Sequence, residues 1–250
     1  MGPIVRGLVL VTSTIFFSFV SFLALPFGGR RLSQVASLWG RVTLYLCGVR
    51  VDVEGSEHLK GHRSFVVMSN HSSHFDVLAL FGNLDLDMCP VAKRELGFIP
   101  VFGWVLVAGA AVMVDRRDRI RAVESLKRAG EIVRGGRSVL LFPEGTRTPD
   151  GMLGPLKKGP FHLALEAQVP VLPVGVRGSA AVLPPRGWKV RPGRITLHIG
   201  QPIPTAHLSN RKAEDRVWLT EKVAGALAEL SASSSGEPEE AAAARLRSVP

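Results

Sequence analysis

An α/β fold, with a single open, largely parallel sheet flanked by helices and a long apolar segment ahead of it, is what this sequence predicts. Three observations carry that expectation. Short apolar runs such as FVVM (65–68), SVLLF (138–142) and VPVLPVGV (169–176) recur through the middle of the chain. Runs of this length bounded by turn residues suit strands covered on both faces, as parallel strands are. Helically spaced stretches lie between them, and such alternation marks a sheet wound with crossover helices. Finally, 250 residues are enough for one sizeable domain and a small appendage.

Residues 7–25 contain no charge and are bounded by Arg6 and by Pro26, Gly28, Gly29, Arg30 and Arg31. As a helix they would reach about 28 Å, close to the roughly 30 Å of a bilayer core. A secretory signal fits poorly, because the apolar run is too long and no small-x-small site precedes Pro26. A myristoylation motif fails at Arg6. The segment either spans a membrane or folds back with residues 32–49, where Val35, Leu38, Trp39, Val42, Leu46 and Val49 form one stripe. If it spans, the Arg excess that follows (Arg30, Arg31, Arg41, Arg50) keeps the main domain on the cytoplasmic side. The bland alternative is a buried core helix. The expected organisation is membrane-anchoring helices over 1–48, an α/β domain over 49–230 and a disordered tail, rich in Ser, Ala and Glu, over 231–250.

Within the domain, 49–53 alternates like an entry strand, and 65–68 is a buried strand that stops at Asn70. A helix follows on Phe75, Leu78, Ala79 and Phe81, with Ser72 or Ser73 placed to cap its first turn. Strands are expected at 88–92, 111–114, 138–142, 169–176 and 195–199, and helices at 98–110, 119–134, 161–167 and 211–230. Gly135 and Gly136 end the second of these helices, and Pro160 suits the first turn of the third. Residues 144–159 form a long loop with Gly and Pro, the kind of segment that carries binding residues.

The net charge of +10 and pI of about 10.4 favour partners bearing phosphate, either nucleic acid or an anionic membrane. The apolar leader favours the membrane, and a 7% aromatic share with one Tyr argues against base-stacking platforms. Cys47 and Cys89 are far apart in sequence and read as reduced thiols.

In the segment SFVVMSNHSSHFD (64–76), His71 falls at the carboxyl end of a strand, with Asp76 about one turn further on, a pairing that suits a general base. Ser69, Ser72 and Ser73 are the alternative nucleophiles, although the chain has no G-x-S-x-G elbow. His74 completes an H-x-x-H-x-D cluster whose spacing is not that of H-E-x-x-H, and His58, His62, His162, His198 and His207 are scattered. No metal site is therefore expected. Lys93, Arg94 and Glu144 also fall at strand carboxyl ends, where sites in open α/β sheets lie.

NHSSHFD fits an N-H-x-x-x-x-D box, and three further segments follow in order: AKRELGFIPVFG (92–103), LFPEGTRTPDG (141–151) and VPVLPVGV (169–176). On these residues the chain resembles the glycerolipid acyltransferase family, whose best-known members are the 1-acylglycerol-3-phosphate acyltransferases. The resemblance implies that His71 and Asp76 are catalytic, with His71 taking the proton of the substrate hydroxyl. It further implies that Lys93, Arg94, Glu144, Gly145, Thr146 and Arg147 bind substrate. Lys93 and Arg147 would hold a phosphate, Arg147 through its two-pronged fork. Glu144 would orient a basic side chain or a glycerol hydroxyl, and 169–176 would shape the acyl site.

By the same resemblance, no cofactor is needed beyond acyl-CoA or acyl-ACP as co-substrate. The partners would be a lysophospholipid acceptor, the membrane and an acyl carrier protein, with no nucleic acid. The first two helices would be a pair dipped into one leaflet of the inner membrane or another cytoplasmic-facing membrane. The implied reaction moves a fatty acyl group to the sn-2 hydroxyl of lysophosphatidic acid, with glycerol 3-phosphate or another lysolipid as alternative acceptors. A serine or metal-dependent lipid hydrolase, or a non-enzymatic lipid-binding module, are the readings from other classes.

Overall fold

The computed structural model describes residues 1–115, 117–148 and 153–232. Two helices open the chain, α1 (Pro3–Ala24) and α2 (Gly29–Cys47). Gly48 ends α2 at φ 70°, a left-handed position that lets its N–H reach back to the last turn. Helix α1 packs on α2, and α2 packs on α3 (Phe75–Asn83). That second contact needs Gly40, where a Cβ would lie 2.5 Å from the Leu78 carbonyl oxygen and 2.9 Å from the Gly82 nitrogen.

The two helices are joined to each other at one end of the pair and tied to the domain at the other. Arg6 Nε donates to the Cys47 carbonyl (3.0 Å) at one end. At the other, Arg137 Nη2 donates to the Gly29 carbonyl (2.9 Å) while its Nε pairs with Asp87 (3.0 Å). The pair thus lies along the domain, with α1 outermost. Helix α1 turns Ile4, Leu8, Val11, Ile15, Phe19 and Phe22 outward and the hydroxyls of Ser13 and Ser18 inward, where Thr43 on α2 donates to Ser13 (3.0 Å). An apolar face outside and polar groups inside suit a helix whose solvent is lipid.

Among the described residues, seven strands form one sheet: β1 (Val49–Glu54), β2 (Val66–Ser69), β3 (Met88–Lys93), β4 (Val112–Val114), β5 (Ser138–Leu141), β6 (Val171–Arg177) and β7 (Gly193–Ile199), in the order β1-β7-β6-β2-β5-β3-β4. All neighbours are parallel except β6 and β7. The largely parallel sheet expected from the apolar runs is the one that forms. Strand β2 lies at its centre and is buried on both faces. Val67 packs toward α2 and α3, and Val66 and Met68 pack toward α5 (Arg119–Arg134), α6 (Lys158–Ala167) and α8 (Ala213–Ser231).

Some local expectations differ. Residues 98–110 do not form one helix; a single turn, α4 (Phe102–Val105), runs into a wider turn over Leu106–Ala110. Gly109, at φ 129°, breaks the helical path there. The start of α3 is not capped by a serine in the expected way: His74 holds the N-cap position without a side-chain cap, and Ser73 Oγ accepts from the Phe75 N–H. A short α7 (Ser179–Val182) was not expected. The tail expected to be disordered lies outside the described residues from position 233 on, as do Pro149, Asp150 and Gly151 of the third segment.

Candidate active site

His71 leaves the carboxyl end of central strand β2, and its environment is built by three separated segments. Its Nδ1 lies 2.8 Å from Asp76 Oδ2. Asp76 is fully buried in the first turn of α3, where the same oxygen also accepts the N–H groups of Ser72 (2.7 Å) and Ser73 (2.8 Å). Those amides and the positive end of the helix dipole stabilise a carboxylate. With a carboxylate as its acceptor, Nδ1 carries the proton of the neutral ring, which leaves Nε2 unprotonated. The imidazole stacks on Phe142 (centroids 3.9 Å apart, planes 15° apart), which fixes its plane. The His71 side chain is 17% exposed, so Nε2 can be reached while Asp76 cannot.

The loop after β5 grips the backbone of His71. Glu144 is buried; its Oε1 accepts the His71 N–H (2.8 Å) and its Oε2 accepts the Gly154 N–H (2.9 Å). Thr148 N–H in turn donates to the His71 carbonyl (2.9 Å). Both backbone polar groups of His71 are thus held by one loop. Burial raises the Glu144 pKa, with the donated N–H groups opposing the shift. Gly145 takes φ 76°, and its N–H donates to the Phe142 carbonyl, closing the turn. Only glycine adopts that conformation without strain.

Arg147 is near this group. Its Nη1 is buried and has no hydrogen-bond partner among the described residues. A guanidinium N–H left this way costs free energy unless an acceptor arrives. Crowding by protein atoms and, after it, the charge of Arg147 push the His74 pKa down to about 4. Thr146 is exposed.

Lys93 closes β3 on the same carboxyl edge, separated from β2 by β5. Its ammonium group is half exposed and lies 3.2 Å from Glu95. Arg94 turns away to Asp115 (2.6 Å), which Arg121 also approaches (3.9 Å). The structure therefore gathers His71, Asp76, Glu144, Gly145 and Arg147 and leaves Lys93 and Arg94 on the rim.

None of the three serines touches His71 through its hydroxyl. Ser72 Oγ pairs with Ser179 (3.0 Å), Ser73 Oγ donates to the Leu183 carbonyl (2.7 Å), and Ser69 Oγ donates to the Asn70 carbonyl (3.1 Å). All three are buried, which leaves the substrate to bring the hydroxyl. Among the described residues, no group of three or more His, Cys, Asp and Glu is arranged to hold a metal ion.

Sequence reasoning missed two supports. Asn70 donates through Nδ2 to the Val176 carbonyl (2.9 Å) and accepts the Val176 N–H (2.7 Å), extending the β2–β6 pairing to the residue before His71. Phe142 was read only as the end of a buried strand. An aromatic residue at the end of a strand, two positions before Glu144, is the signal that could have found it.

A protein-family model described as Acyltransferase matches residues 50–177. The 1-acyl-sn-glycerol-3-phosphate acyltransferase of Pseudomonas aeruginosa is 33% identical over 215 residues, covering 80% of this chain and 80% of that protein. The enzyme of the same name from Limnanthes alba is 30% identical over 216 residues, covering 84% and 75%. Among solved structures, the 1-acyl-sn-glycerophosphate (LPA) acyltransferase PlsC from Thermotoga maritima superposes with a TM-score of 0.67 at 28% identity. That match covers 92% of this chain and all of the other.

Proposed function

The chain belongs to the Acyltransferase family and is an acyltransferase enzyme of phospholipid synthesis, and from that premise we propose that it acylates the sn-2 hydroxyl of lysophosphatidic acid, giving phosphatidic acid. The donor is a fatty acyl thioester of coenzyme A or of acyl carrier protein. His71 Nε2 takes the hydroxyl proton as the oxygen attacks the thioester carbonyl. The C–O bond forms, the C–S bond breaks, and the thiolate leaves with the proton returned by the imidazolium. Asp76 holds Nδ1–H and stabilises the imidazolium, as the carboxylate of a hydrolase triad does, with the acceptor's own hydroxyl in place of a serine.

The phosphate of the acceptor is held by Arg147, with Gly145 and Thr146 beside it, Lys93 on the rim and Arg94 engaged by Asp115. Glu144 acts through the backbone of His71 as a positioning residue, since both its oxygens are engaged by N–H groups. The observation that carries the choice of a phosphate-bearing acceptor is the buried Nη1 of Arg147, which has no partner among the described residues. Work takes place at the cytoplasmic face of a membrane, with α1 lying in one leaflet; the tie from Arg137 to Gly29, which holds the hairpin end of the helix pair to the domain, supports this over a span.

The test compares acyl transfer to lysophosphatidic acid and to a phosphate-free monoacylglycerol, in the parent and in Arg147→Ala. Losing one contact to a charged group costs about 1.5–3 kcal/mol, roughly ten- to a hundredfold. That loss is expected for lysophosphatidic acid alone, and Arg147→Lys stays impaired because it lacks the fork. An equal fall for both acceptors makes Arg147 structural, and a parent that prefers the phosphate-free acceptor overturns the substrate assignment.

A further inference from the structure

Between α7 and β7, residues 184–192 (PPRGWKVRP) form a loop that the acyl-transfer chemistry does not use. The Gly187 N–H donates to the Pro184 carbonyl and the Arg191 N–H to the Val182 carbonyl (both 2.9 Å). Val190 is fully buried and anchors the loop. Around that anchor Arg186, Trp188, Lys189 and Arg191 are exposed, Trp188 by 62%. Lys189 Nζ lies 5.4 Å from the centre of the Trp188 ring, which keeps the cation and the indole together.

Arg186, Lys189 and Arg191 have no acidic partner among the described residues, and the chain has no Asp or Glu between Glu166 and Glu214. With Pro184, Gly187 and Trp188 they line a shallow cavity of about 360 Å³. The loop also abuts the helix pair. A Cβ at Gly7 of α1 would lie 3.1 Å from the Trp188 carbonyl oxygen, and one at Gly48 would lie 3.4 Å from Pro192. The exposed apolar residues Ile4, Val5 and Leu8 share that end of α1.

A cationic concavity with one indole, continuous with an outward apolar stripe, matches the layered chemistry of a bilayer surface. Phosphate lies above, an amphipathic ring suits the boundary, and hydrocarbon lies below. We infer that residues 184–192 are a second membrane contact that binds the phosphates of anionic phospholipid headgroups beside the start of α1. A single-stranded nucleic acid would instead find one stacking ring and no second. The inference rests on the membrane-bound reading above.

To test it, Trp188→Cys is introduced in the full-length protein and labelled with an environment-sensitive fluorophore. Cys47 and Cys89 are buried, which raises both thiols, Cys47 to about 11, so neither competes for the label. The labelled protein is added to phosphatidylcholine vesicles with or without phosphatidylglycerol, with a nitroxide quencher on the headgroup. Quenching is expected to strengthen with phosphatidylglycerol and to weaken with salt. In Arg186→Gln/Lys189→Gln/Arg191→Gln the phosphatidylglycerol-dependent part falls by roughly fivefold per cation removed.

Quenching that ignores phosphatidylglycerol or the triple substitution overturns the inference. So does a label that stays in water, or one that responds to RNA in solution and not to vesicles. Transfer by the triple variant to detergent-dispersed lysophosphatidic acid is expected to match the parent, and its loss would place the loop in the transfer site and refute a separate contact. The parent's transfer assay tests the proposed reaction independently of any quenching.

Discussion

His71→Ala removes the atom proposed to take the proton, so transfer is expected to fall by ~10²–10⁴ while acceptor binding persists. Near-normal turnover would end the general-base mechanism. Asp76→Asn leaves the contacts with the Ser72 and Ser73 amides largely in place but loses the charge facing Nδ1, so slow turnover in a folded protein is expected, read by rate and circular dichroism together. Glu144 offers a sharper distinction. Replacing it by Gln turns one of its two acceptors into a donor that faces a backbone N–H, costing about 1–3 kcal/mol of stability for the amide left unsatisfied. If Glu144 acts by holding His71, kcat falls and KM for the acceptor barely changes. A raised KM with kcat intact would mean that the carboxylate meets substrate directly. From the sequence, Glu144 could be seen as a candidate but not as a clamp, because its partner is the backbone of a residue 73 positions away.

At the scale of elements, the contact of α2 with α3 carries the helix pair. A methyl group at Gly40 meets backbone atoms of α3, which cannot swing aside as a side chain can. Gly40→Ala is therefore expected to destabilise by about 1–3 kcal/mol, the usual cost of overpacking, seen as a lower Tm. An unchanged Tm would mean that α2 is not seated on α3. Helix α5 was legible to the residue at both ends, because its apolar spacing is regular and Gly135 and Gly136 stop it. Residues 98–110 were not, because an apolar stretch interrupted by Pro100, Gly103 and Gly109 has no period to read, and its path is set by what it packs against.

For the whole molecule, the outward stripe of α1 makes the lipid assignment testable. Leu8 and Phe19 are 60% and 56% exposed, so changing both to Glu disturbs little packing. The doubly substituted protein is expected to keep its far-ultraviolet spectrum and Tm but to move toward the soluble fraction on fractionation. Unchanged membrane recovery would locate the anchor elsewhere. The sequence alone determined the class of sheet, the long apolar helix, and the pairing of His71 with Asp76, because each is written in local spacing: runs of apolar residues, absence of charge, two side chains about one helical turn apart. Tertiary structure alone decided that β7 runs antiparallel to β6, that Arg94 is spent on Asp115 while Arg147 Nη1 finds no partner among the described residues, and that three serines beside His71 are turned into the core. Those outcomes depend on which distant backbone or side-chain group competes for each donor and acceptor, and no window of neighbouring residues contains the competitors.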